Sequence, residues 1–128
     1  MEDRSITDSQ ITASSFKTES FRPAYGRLNN RPSGAMGGAW CAGTSDKFQF
    51  LQIDLRKEMT LSGVATQGQI DEANWVAKYS IQHSKDGTNW KDYKEFGYKV
   101  VCIALAACNP SVLPKALKHI TCSKKTPL

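Results

Sequence analysis

The 128 residues suffice for one domain with its own core and are too few for a multidomain assembly. With 40% apolar and 23% charged side chains and a formal charge of +5, the composition excludes a disordered or fibrous chain. The apolar run at residues 100–108 is about half of the roughly 20 residues that cross a bilayer, and the opening Met-Glu-Asp-Arg-Ser has no apolar signal-peptide core, so the chain reads either as cytoplasmic or as starting inside a longer secreted precursor.

The first 40 residues are loosely patterned, with Ile6, Ile11 and Phe16 as candidate core anchors. Ahead of Trp40 lies a glycine-rich stretch, Asn29-Asn-Arg-Pro-Ser-Gly-Ala-Met-Gly-Gly38. Small residues and Pro32 predict a projecting loop there; a phosphate cradle needs GxGxxG or GxxxxGK(S/T), and the chain has neither, so no cofactor is expected. In Phe50-Leu-Gln-Ile-Asp-Leu55, the apolar Leu51, Ile53 and Leu55 alternate with Gln52 and Asp54, the period of a strand covered on one face. Residues 61–67 read as a second, less clearly phased strand ended by Gly68. The longest strand is expected at residues 75–83, with Ala77, Tyr79, Ile81 and His83 on one face and Lys78, Ser80 and Gln82 on the other. His83, on the apolar face, reads as a core histidine rather than a switch. In Ser84-Lys-Asp-Gly-Thr-Asn-Trp90, Asp-Gly supplies the positive φ of a turn that leads into a short strand at residues 90–93. Strands joined by hairpin-type turns, without crossover helices, predict antiparallel sheets packed face to face and argue against a βαβ nucleotide fold.

From Val100 the pattern changes. Residues 100–107 are apolar without alternation, Pro110 and Pro114 break up the remainder of the chain, and residues 114–122 allow at most a short helix opening on a proline. Charge divides at the same place. Residues 1–98 balance 12 Lys/Arg against 12 Asp/Glu, whereas residues 99–128 hold Lys99, Lys115, Lys118, Lys124 and Lys125 and no acid. Five charges at one end read as a solvated terminus, and no nucleic-acid partner is expected. Cys41 is alone in the body, while Cys102, Cys108 and Cys122 lie in the tail; four cysteines allow three pairings, and zinc-ligand spacing is absent.

The body carries a family pattern. Ile6-Thr-Asp-Ser-Gln-Ile-Thr-Ala-Ser-Ser15, Tyr25-Gly-Arg-Leu-Asn29, Ala39-Trp40, Phe50-Leu-Gln-Ile-Asp-Leu55, Gly63-Val-Ala-Thr-Gln-Gly68, Trp75-Val76, Tyr79 and Ser84-Lys-Asp-Gly-Thr-Asn-Trp90, in this order, resemble the discoidin domain, also called the coagulation factor V/VIII type C domain. The resemblance implies an all-β jelly-roll sandwich with loops projecting from one end. It also implies a non-catalytic, extracellular role in attachment to cell surfaces, matrix, carbohydrate or anionic phospholipid. Residues 1–98 are expected to form a partial discoidin domain and residues 99–128 a non-matching basic, cysteine-containing tail, so that the closing strands of the sandwich are lacking. The family's terminal disulfide has neither partner in its usual place, a loss of roughly 2–5 kcal/mol in a small secreted domain. Two readings of the tail stand side by side: a non-native continuation giving a truncated product without independent function, or a substitute in which residues 100–107 replace a missing core strand.

Carried over from the family, three loops form the candidate site. In the first, residues 17–22, Phe21 is the one large apolar side chain among Lys17, Glu19 and Arg22; it reads either as a membrane-inserting tip flanked by bases or as a buried ring. In the second, residues 30–38, Arg31 and Met36 are possible contacts, Arg31 through its planar fork or as a solvated loop charge. In the third, residues 69–74, Asp71, Glu72 and Asn74 suit a sugar hydroxyl or a basic protein surface better than anionic lipid. Trp40, Trp75 and Trp90 read as core anchors rather than sugar platforms. Arg27 reads as a structural donor near the strand around Asp54. Catalysis is not expected, because no acid–base pair or triad is evident among Asp54, Asp71, Glu72, Asp86, Cys41 and His83. The leading expectation is a binding module for a cell-surface or matrix glycan or protein, with anionic phospholipid as the alternative partner.

Overall fold

Alternation makes a strand only where a neighbour completes the backbone hydrogen bonds, and for residues 51–53 that neighbour comes from the start of the chain. The computed structural model describes residues 4–61, 64–70, 72–99 and 101–103. In it β1 (Ile11–Ala13) and β2 (Leu51–Ile53) pair antiparallel, Ile11 opposite Ile53 and Ala13 opposite Leu51. The ladder is prolonged at both ends, with Asp54 N donating to Gln10 O at 2.8 Å and Ser14 N to Phe50 O at 3.0 Å. Ile11 and Leu51 bury with Trp40 in a small core, against which Ile6, Ala13 and Ala42 pack. Leu51 is the most enclosed, at 2% exposure.

Polar groups fix the ends of this unit. Before β1, Thr7 N donates to Gln10 Oε1 at 3.0 Å to close a capping box, and Gln10 Nε2 donates to Asp54 O at 2.6 Å. After it, the buried Gln49 accepts from the hydroxyls of Ser14 and Ser15 at 2.7 and 2.5 Å and donates to the Asp46 carboxylate at 3.0 Å. A buried amide with its side-chain oxygen and nitrogen both engaged locks its surroundings without an unmet desolvation penalty. The Trp40 indole N–H donates to Ser15 O at 2.9 Å, so its ring is held over the ladder by a bond as well as by packing.

The second half is built on residues 78–83, one bent run that changes partner at Ile81. β3 (Lys78–Ser80) pairs antiparallel with β8 (Val101–Ile103), Tyr79 opposite Cys102, while β4 (Gln82–His83) pairs with β5 (Lys91–Asp92). Between them, Tyr93 N donates to Ile81 O at 2.8 Å and keeps the run continuous. β6 (Lys94–Glu95) and β7 (Tyr98–Lys99) close a two-residue hairpin. Both the hairpin and the β3–β8 ladder cross the division expected near residues 98 and 99. Residues from the tail therefore complete the backbone of β3. Cys108, Cys122 and the short helix expected at 114–122 lie outside the described residues.

Several expectations need correction. Residues 61 and 64–67 form no ladder among the described residues, although Ala65 is buried. The strand expected at 75–83 starts at Lys78. His83 is exposed, because its strand pairs at the surface with Lys91 instead of turning inward. Phe16 is exposed too. Among the described residues every ladder is antiparallel and two-stranded, there is no α-helix, and no helix is long and apolar enough to cross a membrane.

The turn between β4 and β5 is organised by Asp86. Its carboxylate accepts the backbone N–H of Asn89 and of Thr88, each at 2.8 Å, with the Asn89 side-chain amide at 2.7 Å and the Ser84 hydroxyl at 2.8 Å. Gly87 takes the positive φ, +73°, that the Asp-Gly pair predicts. These donors, the Asn89 backbone first, hold the Asp86 carboxyl well below the usual carboxylate range.

This architecture makes two outcomes measurable. Leu51→Ala removes the most enclosed side chain of the core and is expected to cost about 2–5 kcal/mol in a urea melt. For Asp86 the folded form binds its proton less readily than the unfolded form, so its contribution to stability is present above the unfolded value of about 3.9 and is lost as pH falls through the folded value. A carboxyl NMR titration should show Asp86 still ionised where the exposed acids have protonated, and Asp86→Asn should flatten the acid limb of the stability curve.

Candidate functional site

The three loops meet. The first carries a short 3-10 turn, Glu19–Phe21, closed by Phe21 N donating to Thr18 O at 2.8 Å. In the second, Ser33 and Met36 exchange backbone hydrogen bonds at 3.0 Å, a tight bend that returns the chain toward Gly37. Gly37 N then donates to Ser20 O at 2.7 Å, joining the first two loops. Gln69 Nε2 reaches Gly37 O at 3.5 Å, and the third loop is closed by Gln69 N donating to Asn74 O at 2.8 Å. Gly37 lies between all three.

Glycine is required there by close approach. A Cβ on Gly37 would lie 2.3 Å from the Phe21 ring, and one on Gly38, whose φ is +70°, 2.5 Å from Pro32 N. The Phe21 ring therefore rests against the second loop, half-buried, with the Lys17 ammonium 5.9 Å from its centroid. Arg22 is exposed and paired with Glu19 within its own loop. Arg31 is exposed and Met36 half-buried. Asn74 Nδ2 donates to Glu72 Oε2 at 2.7 Å and to Gln69 Oε1 at 3.2 Å, so the third loop orients its own polar groups. Asp71 lies outside the described residues.

Behind the loops is a cavity of about 60 Å³ whose walls include Trp40, Leu51 and Trp75 together with the amides of Asn30, Gln67, Gln69 and Asn74. Trp40 is 7% exposed. Trp75 and Trp90 depart from the core expectation, at 40% and 38% exposure. Trp75 stands at the mouth of the cavity beside Gly68, and the Trp90 indole N–H donates to Gly87 O at 3.2 Å, which keeps that ring on its own turn. The Arg27 side chain is buried against the N-terminal turn, where it pairs with Asp8. Its charge-assisted contact holds that turn in place, and Gln10 of the same turn reaches Asp54 O. Gln67, outside the three loops, is the amide the sequence does not single out, because a neutral polar residue carries no periodic signal.

The comparison of sequences matches the F5/8 type C domain family over residues 10–112. The chain belongs to the F5/8 type C domain family. The fold of the F5/8 type C domain is the all-β sandwich expected from the strand pattern, and the matched stretch extends beyond β8. Similar proteins include lactadherin of Sus scrofa, 35% identical over 105 residues, which are 76% of this chain and 25% of that protein. Lactadherin of Rattus norvegicus is 39% identical over 105 residues, 76% of this chain and 24% of the relative. The EGF-like repeat and discoidin I-like domain-containing protein 3 of Homo sapiens is 36% identical over 99 residues, 72% of this chain and 20% of the relative. The chain thus spans about a quarter of the length of these curated relatives or less.

The packing of Phe21 on Gly37 yields a direct check on this F5/8 type C domain. Gly37→Ala forces the ring off the second loop and should cost about 1–3 kcal/mol. Hydrogen exchange should quicken at the Gly37 and Phe21 amides while the β1–β2 amides keep their protection.

Proposed function

We propose that this F5/8 type C domain is a non-enzymatic, extracellular adhesion module that recognises a cell-surface or matrix glycan or protein through the joined loops 17–22, 30–38 and 69–74. The observation that carries this reading is the tying of three loops through Gly37, which preorganises a polar surface before any ligand arrives. Neutral amides around the cavity, with Trp75 half-exposed at its mouth, suit hydroxyl groups and a sugar face. Arg31 adds a planar cation for a carboxylate or sulfate. Anionic phospholipid binding through Phe21, Arg22 and Arg31 is less well supported. The Phe21 ring is committed to Gly37 and Arg22 to Glu19, which leaves Arg31 as the cation of that trio without a partner among the described residues.

A second reading, a truncated product without independent function, has one observation in its favour. Among the described residues a groove of about 1100 Å³ is lined by Leu55, Leu61, Val64, Tyr79, Ile81 and Trp90 among others. Apolar side chains facing an open groove give up the transfer energy that a closed sandwich gains.

A glycan array probed with the full chain separates these readings. Arg31→Ala is expected to weaken binding to carboxylated or sulfated sugars by roughly tenfold or more, with an unchanged melt. The adhesion reading is abandoned if the folded chain binds neither glycans nor cell surfaces, and a non-cooperative melt supports the truncated product.

A further inference from the structure

Phe96 and Tyr98 are the most exposed large apolar side chains among the described residues, at 98% and 78%. Both belong to the β6–β7 hairpin, whose turn is Phe96-Gly97. The two turn residues have positive φ, 50° at Phe96 and 83° at Gly97. Two-residue turns of this kind select Asn, Asp or Gly at the first position. A phenylalanine there is disfavoured by the backbone and by water together, and no core of its own chain covers the ring.

The same protomer has a hollow of matching character. The groove of about 1100 Å³ among the described residues exceeds the roughly 300–1,000 Å³ that encloses a drug-sized molecule, so it has room for two rings. Its apolar walls include Leu55, Met59, Leu61, Ile81 and Trp90, and Met59 and Leu61 are exposed. Most of its charges are matched within it: Arg56 pairs with Asp54, Lys85 with Glu58, and the Asp86 carboxylate is taken up by its own turn. Such a groove suits a neutral apolar occupant, and Phe96-Gly97 is a neutral apolar tip.

The tip does not enter the groove of its own chain. Tyr93 and Glu95 line the groove, yet Phe96, the next residue, is almost fully exposed, so the turn leads outward. A tip that leaves from beside its own groove is placed to enter that of a second copy, and two-fold symmetry then returns the second tip to the first groove. The area suffices. Aromatic side chains bury roughly 150–250 Å² each, so the four rings of a reciprocal pair bury about 600–1,000 Å². With a similar area of groove wall, the total reaches the roughly 1,200–2,000 Å² of stable interfaces.

We propose that the β6–β7 hairpin is a dimerisation arm: in a two-fold pair, Phe96 and Tyr98 of each copy insert into the groove of the other between Leu55, Met59, Leu61, Ile81 and Trp90. This surface shares no residue with the loops around Gly37 and does not depend on the glycan reading.

Sedimentation equilibrium of the full chain over a concentration series tests it. The chain should pass from monomer to dimer, without larger species, and its melting temperature should rise with concentration. Phe96→Asn should weaken dimerisation by more than about tenfold. At a dilution where the parent is monomeric, the same variant should keep or raise the melting temperature, because Asn suits a positive φ. Leu61→Glu, at an exposed position on the groove side, should weaken dimerisation to a similar degree. Mixing the two variants is the decisive measurement. One supplies an intact groove and the other an intact tip, so the mixture should recover association that neither shows alone. The proposal is overturned if the full chain stays monomeric at every soluble concentration, if it grows into open-ended assemblies, if Phe96→Asn dimerises like the parent, or if the mixture recovers nothing. A monomer whose melting temperature falls with Leu61→Glu also overturns it, by showing that the chain fills its own groove.

Discussion

The structure depends on the β1–β2 ladder, a pairing of residues near the start of the chain with residues some forty positions later. Closing so long a loop costs entropy before any contact repays it, and the return comes from Ile11, Leu51 and Trp40 burying together. The polar groups around the ladder enforce its register. Gln10 and Asp54 bind across one end and Gln49 joins Ser14 and Ser15 at the other. Slipping by one residue would turn Leu51 outward and break each of these bonds.

The loop end inherits its rigidity from that ladder. Trp40 bonds to Ser15, which lies just past β1, and the Gly-rich loop runs directly into Trp40, so the second loop is anchored at its C-terminal end. Gly37 can then accept the Phe21 ring and contact the other two loops, because nothing larger than hydrogen fits in that gap. In that contact Phe21, the apolar side chain of the first loop, is half-buried. What these loops present outward carries both signs of charge, with Arg22 and Arg31 exposed and Glu72 bonded to Asn74.

The C-terminal third has a different character. β8 gives β3 a partner and so brings part of the unpatterned tail into the backbone framework. Charge balance ends at the same point, and the aromatic hairpin projects where the basic stretch starts.

By itself the sequence determined the all-β class, the alternation around Leu51, the Asp-Gly turn, the family and the placing of all excess charge late in the chain. Each of these is written in local spacing or in composition. Tertiary structure decided which aromatic residues are covered. Trp40, Trp75 and Trp90 look alike in sequence, yet of the three Trp40 is the one with a ladder beneath it, Trp90 bonds to its own turn, and His83 faces water in a strand whose period pointed inward. It also decided that Phe21 would meet Gly37, that residues 101–103 would pair with residues 78–80, and that Phe96 would stand in solvent. The reason is common to them all: periodicity reports that a side chain has a face to hide, while the cover for that face is supplied by residues distant in sequence, whose arrival no local pattern records.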